Sequence, residues 1–193
     1  MWDVIASKVR YTIMVSISVL CFSLFFYVFE YSISRSISSA ISLFAILAFV
    51  FGKYLWKLIY FDIFNQYLCP DLNGKWCAKI KSNFNDGTEV TIPVSFEADF
   101  FSVKMFGQTS FGDSEANYCR ILKNSSGRFQ LEYMFRVNND SAKKGDTQFY
   151  EGAARLTLHD SKKPLWKGVY WTNRCWHDDK NTAGEIEITP TLI

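Results

Sequence analysis

Arg120 lies in the stretch ANYCRILK, where its alternation phase groups it with Ala116, Tyr118 and Leu122. A guanidinium is rarely buried without a partner, so an arginine on an inner face calls for an anion. Carried along the following segments, the same inward phase collects Trp76, Tyr133, Tyr150, Trp166, Tyr170 and Thr172. Aromatic faces stack on flat bases for about 1–3 kcal/mol per base. A guanidinium fork grips phosphate through paired N–H donors. Together these residue types suit a ligand made of bases and phosphates, with Gly168 and Gly184 leaving room for its close approach. The same residues also read as an ordinary aromatic core, with Arg120 at the rim or paired to an internal glutamate.

Catalytic signals are sparse. The chain has two histidines, and no P-loop, GxSxG or paired-glutamate motif occurs. Cys175, His177, Asp178 and Asp179 cluster in sequence, but nothing elsewhere completes a metal site, and a polar loop accounts for them. The expectation is a binding protein, not an enzyme, with no metal and no resident cofactor.

Alternation of period two carries these residues from Pro70 onward. GKWCAKIKS sets Trp76, Ala78 and Ile80 against Lys75, Lys79 and Lys81, and Asp86-Gly87 closes a hairpin to TEVTIPVSFEA. Further strands are expected near 101–107, 116–123, 129–137, 150–158, 165–173 and 184–190. No helical period interrupts them, so antiparallel hairpins follow, with apolar faces in and polar faces out. Eight such strands predict an antiparallel up-and-down β-barrel, preferred over a sandwich because closure removes both edges and leaves an interior for one small ligand.

The first 69 residues differ. Tyr11–Phe29 and Ser36–Gly52 are uncharged apolar runs of 19 and 17 residues, close to the ~20 needed to span a bilayer core. A cleaved signal peptide would have a shorter apolar region and a small-residue cleavage site; the first run instead ends in FFYVFEY. Residues 1–69 thus read as a two-transmembrane-helix anchor with a juxtamembrane linker, and 70–193 as a cytosolic β domain. Lys8, Arg10, Lys53 and Lys57 flank the same side, which places both termini in the cytoplasm. The segment after Gly52 reads either as the helix continuing through an aromatic belt to Pro70 or as a plain interfacial linker. Ser38, Ser42, Ala45 and Gly52 form a small-residue seam on the second span, suited to close helix packing in lipid. The hairpin needs such a seam for its own two helices as well.

Residues 70–193 carry 16 basic and 16 acidic side chains, so the net charge of +2 lies in the anchor. A neutral domain has no electrostatic footprint for duplex nucleic acid. Five cysteines, odd in number and without a CxxC pair, read as free thiols in a reducing compartment.

The twin spans, PDLNGKW (70–76), WKGVYWTNR (166–174) and TAGEIEITP (182–190) together resemble the membrane-anchored two-transmembrane β-barrel effectors of bacterial CBASS anti-phage signalling. The resemblance extends over essentially the whole chain. It implies binding of a cyclic dinucleotide in the barrel as the activating ligand, homo-oligomerisation in the inner membrane, bilayer disruption and death of the infected cell. LNGKW also looks like the G-x-W start of lipocalins, which leaves a membrane-tethered barrel for a lipid or metabolite as the competing reading.

Overall fold

The computed structural model describes residues 1–59, 69–83, 89–109, 112–140, 142, 146–160, 163–178 and 181–191. Two compact units emerge: Met1–Leu68 with Asp99–Phe101, and Cys69–Ala98 with Ser102–Ile193.

In the first unit, α1 (Ser7–Ser23) runs on through a wide π turn at Leu24–Val28, and α2 (Ile33–Val50) through another at Phe51–Leu55. The continuous helices, Ser7–Val28 and Ile33–Leu58, have mean hydropathies of 2.0 and 1.8 and are long and apolar enough to cross a membrane. Their hydroxyls bond within their own helix: Ser18 Oγ donates to Met14 O at 2.8 Å and Ser42 Oγ to Ser38 O at 3.1 Å. Glu30, at φ 53°, turns the chain between them. Ser36 and Ala40 of α2 and Cys21 of α1 are buried, whereas Ser38, Ser42 and Ala45 face outward. Ser38 and Ser42 line an open groove of about 410 Å³ with Phe25, Ser39, Leu43 and Ile46. Gly52 departs from the expected seam. It is buried, and a Cβ there would strike the Phe101 ring, so it is covered within its own chain.

In the second unit, eight strands pair in sequence order and close: β1 (Gly74–Ser82), β2 (Glu89–Ala98), β3 (Val103–Thr109), β4 (Gly112–Lys123), β5 (Phe129–Asn138), β6 (Phe149–Asp160), β7 (Leu165–Thr172) and β8 (Ala183–Pro190). All pairings are antiparallel, and β1 meets β8 from Trp76↔Pro190 to Ser82↔Gly184. The expected up-and-down barrel is the fold observed. Inward residues stack in rows across the strands, one every second residue. At the end where β1 begins, Trp76, Phe96, Leu158, Trp166 and Ile188 are buried, together with Leu72 just before β1. Trp76 lies edge-on to Phe96 at 5.9 Å, and its Nε1–H donates to Leu72 O at 2.7 Å. That end is a packed apolar plug. At the opposite end the inward residues turn polar.

A bulge on β4 overturns one part of the sequence reading. Ala116 pairs with Phe135 and Tyr118 with Met134, so Asn117 is an extra residue in the ladder. A bulge sets two residues against one and reverses the facing of everything beyond it. Cys119 and Ile121 therefore point in, while Tyr118 and Arg120 point out and are exposed. Their expected inward phase is corrected accordingly. The room expected at Gly168 and Gly184 is likewise filled by neighbouring backbone. A Cβ would collide with the Arg155 carbonyl at the first and the Lys81 carbonyl at the second.

Candidate functional site at the polar end of the barrel

Three rows of inward side chains lead from the polar end toward the plug. Ser114, Val137 and Tyr150 form the outermost row, then Ala116, Phe135, Gly152 and Thr172, then Cys119, Tyr133, Ala154, Tyr170 and Gly184. Strand alternation thus brings Tyr133, Tyr150, Tyr170 and Thr172 together. It sends Trp76 to the other end: Trp76 pairs with Pro190, whereas Thr172 bonds to Thr182 ahead of Ala183. Eight residue steps from Thr182 to Pro190 separate those levels, roughly 26 Å at strand rise. Trp76 therefore belongs to the plug, and Tyr118 and Arg120 to the outer surface. Four of the seven expected ligand-facing residues share one region.

Two loops supply the charge. The β5–β6 connection carries Asp146, and the β7–β8 connection carries Arg174. Arg174 Nε donates to Asp146 Oδ1 at 2.8 Å, and Nη2 donates to Oδ2, a bidentate pair. The guanidinium carbon also lies 5.3 Å from the centre of the Tyr150 ring, within cation–π range. Asp146 is held further by Asn139 Nδ2 at 3.0 Å and by the Thr147 backbone N–H at 2.9 Å. Donated hydrogen bonds and the adjacent guanidinium bring the Asp146 carboxyl down to about 2, and the same partner raises Arg174. Beneath the pair, the Thr172 and Thr182 hydroxyls lie 2.7 Å apart, and the Arg174 backbone N–H donates to Thr172 Oγ1 at 3.3 Å. Cys175, at φ 48°, bends the loop back so that its thiol lies 3.5 Å from Asp146 Oδ1.

The side chains below are more deeply buried. Burial raises the Tyr150 hydroxyl, with Arg174 opposing. Burial raises Tyr133 further, with neighbouring Cys119 adding to it, and pushes the Cys119 thiol up to about 12. A bidentate arginine above neutral tyrosine and threonine hydroxyls can take an anion at the rim and a planar polar group below. Among the described residues, no group of three His, Cys, Asp or Glu side chains is arranged to hold a metal. One buried side-chain donor among them has no hydrogen-bond partner: the Trp166 indole N–H, inside the barrel.

Arg174, Asp146 and Thr182 were not singled out from the sequence. A signal for Arg174 existed, because it keeps the even-number phase of Tyr170 and Thr172 one step beyond the strand. Asp146 had none, since it lies in the polar stretch NNDSAKKGDTQ, where alternation gives no facing.

The chain is thus a closed eight-strand barrel with one polar mouth, preceded by two helices long and apolar enough to cross a membrane. Residues 67–190 match the family described as Cap15, cyclic dinucleotide receptor domain. The CD-NTase-associated protein 15 of Escherichia albertii is 47% identical over 189 residues, spanning 98% of this chain and 97% of that protein. The chain belongs to the Cap15 family.

Proposed function

We propose that this chain is a membrane-anchored CBASS effector that takes a cyclic dinucleotide into the polar end of its barrel. Arg174 is the phosphate contact and Asp146 holds it in place. Tyr150, Tyr170 and Tyr133 offer ring faces and hydroxyls to the bases, and the Thr172–Thr182 pair offers hydroxyls to the sugar or base edges. The observation that carries this reading is the bidentate Arg174–Asp146 pair set over Tyr150, on the same mouth that leads two rows in to Tyr133 and Tyr170. The family match supplies the ligand class.

Binding shifts the protein toward a self-associated state, because a ligand moves an equilibrium only by its differential affinity. Association gathers the helix pairs in the bacterial inner membrane, both termini cytoplasmic, and the gathered helices disrupt the bilayer and kill the infected cell. No enzymatic step and no cofactor enters this scheme.

The test is a panel of cyclic dinucleotides titrated into the full chain in detergent. Losing a charge-assisted contact costs about 1.5–3 kcal/mol, so Arg174→Ala should weaken binding roughly 10- to 150-fold. Lys79→Ala, on the outer wall of β1, should stay within threefold of the parent. Equal affinity for Arg174→Ala and the parent would remove Arg174 from the site.

A further inference from the structure

The outer wall carries an apolar row that the inward-facing site does not use. Strand register places Tyr118, Met134, Ala153, Trp171 and Ala183 side by side on β4 to β8, all pointing outward. Tyr118 is 41% exposed, Met134 56% and Trp171 47%, and Val169 next to Trp171 on the same face is 52%. Large apolar side chains exposed in one contiguous row mark an interaction surface more often than scattered ones do.

Charge on either side of the row says what fits it. On one side lie Arg120, Glu132 and Arg155, read from β4 to β6; on the other lie Glu115, Arg136 and Glu151. The signs run plus–minus–plus on one side and minus–plus–minus on the other. Two copies placed face to face about a two-fold axis along the apolar row bring each residue over the opposite flank of its partner. Arg120 then faces Glu115, Glu132 faces Arg136, and Arg155 faces Glu151, opposite signs at every position. A two-fold along the strands would instead set Glu132 against Glu132 and Arg120 against Arg155. The pattern is self-complementary for one axis only, as an isologous contact requires.

We propose that the outer face of β4–β7 is the surface through which two copies of this chain associate, centred on Met134 and Ala153. This rests on the self-association in the functional reading above and names the surface that carries it. The link to the ligand is short. Trp171 projects outward between Tyr170 and Thr172, both of which face the site.

The experiment uses the full chain in detergent, with and without the cyclic dinucleotide panel, with ligand binding followed by calorimetry on the same samples. Residues on the axis meet their own copies, so Met134→Cys should cross-link between chains with a short bismaleimide at least fivefold more than Thr91→Cys, an exposed position on β2, and more than the native cysteines alone. Glu132→Arg or Arg136→Glu alone should lower that cross-linking at least fivefold, and the two together should restore it to within twofold. Both changes break pairs within the sheet, Arg155–Glu132 and Arg136–Glu151, and combining them repairs neither. Recovery therefore reports contact between copies. If Met134→Cys cross-links no better than Thr91→Cys in either condition, the surface is wrong, even where calorimetry and sedimentation show that the chain binds and assembles. A double variant as weak as the singles would overturn the axis. Shielding of Met134→Cys by anionic lipid vesicles without cross-linking would assign the face to lipid and overturn the proposal. Failure of every dinucleotide to bind in calorimetry would strike the functional reading instead, and the ligand-free cross-linking would still judge the surface.

Discussion

At the residue scale, the rim of the site is controlled by one carboxylate. Asp146 accepts from Arg174, Asn139 and the Thr147 backbone, which holds its carboxyl at about 2 against an ordinary value near 3.9. A folded-state pKa below the unfolded one adds stability that is complete above about pH 4 and disappears as pH falls through about 2. The pair is partly exposed, so its contribution is of the order of 0.2–1 kcal/mol. Thermal melts of the parent and of Asp146→Asn should therefore differ slightly at pH 6 and converge by pH 2, other carboxylates titrating alike in both. A gap that persists unchanged to pH 2 would show that the carboxylate is not what stabilises the loops.

At the element scale, a bulge and a few close backbone approaches shape the barrel. Asn117 re-aims β4, which puts Cys119 rather than Tyr118 beside Tyr133 and frees Tyr118 for the outer row. Gly168 lets β7 lie against the β6 backbone, where a Cβ would run into the Arg155 carbonyl and Leu156 Cα. Backbone cannot yield as a flexible side chain does, so Gly168→Val should cost roughly 1–3 kcal/mol as overpacking. The readout is the midpoint of denaturant unfolding of the full chain in detergent, followed by tryptophan fluorescence. A midpoint equal to the parent's would mean the strands can separate there without loss.

At the scale of the whole molecule, the proposed function gives recognition to the barrel and membrane action to the helices. Ser38, Ser42 and Ala45 are exposed on α2, and in the proposed function the groove that Ser38 and Ser42 form with Phe25 takes a helix from another copy. Small residues allow the close backbone approach on which helix association in lipid depends. Ser42→Leu with Ala45→Leu should keep dinucleotide affinity within threefold, yet lower dye uptake several-fold when co-expressed with a cyclic-dinucleotide synthase. Undiminished dye uptake would remove the helix seam from the mechanism. Gly52 is left out of this test because Phe101 covers it, and enlarging it would disturb the unit itself.

What the sequence determined by itself was whatever depends on local periodicity. Uncharged runs of bilayer length make helices, and alternation with turn residues makes eight hairpin-linked strands, for which closure is preferred over a sandwich and the pairing of β1 with β8 decides it. Facing was legible wherever alternation ran unbroken, which is why Tyr133, Tyr150, Tyr170 and Thr172 were placed correctly inside. Tertiary structure alone decided the rest. The bulge at Asn117 is one extra residue with no signature of its own, and it reversed Tyr118 and Arg120. Depth along the barrel separated Trp76 from the tyrosines, because alternation gives the side of a strand but not the level at which its neighbours pair. Arg174 and Asp146 lie 28 residues apart on two loops and meet only because β6 and β7 pair in register and bring those loops to the same mouth.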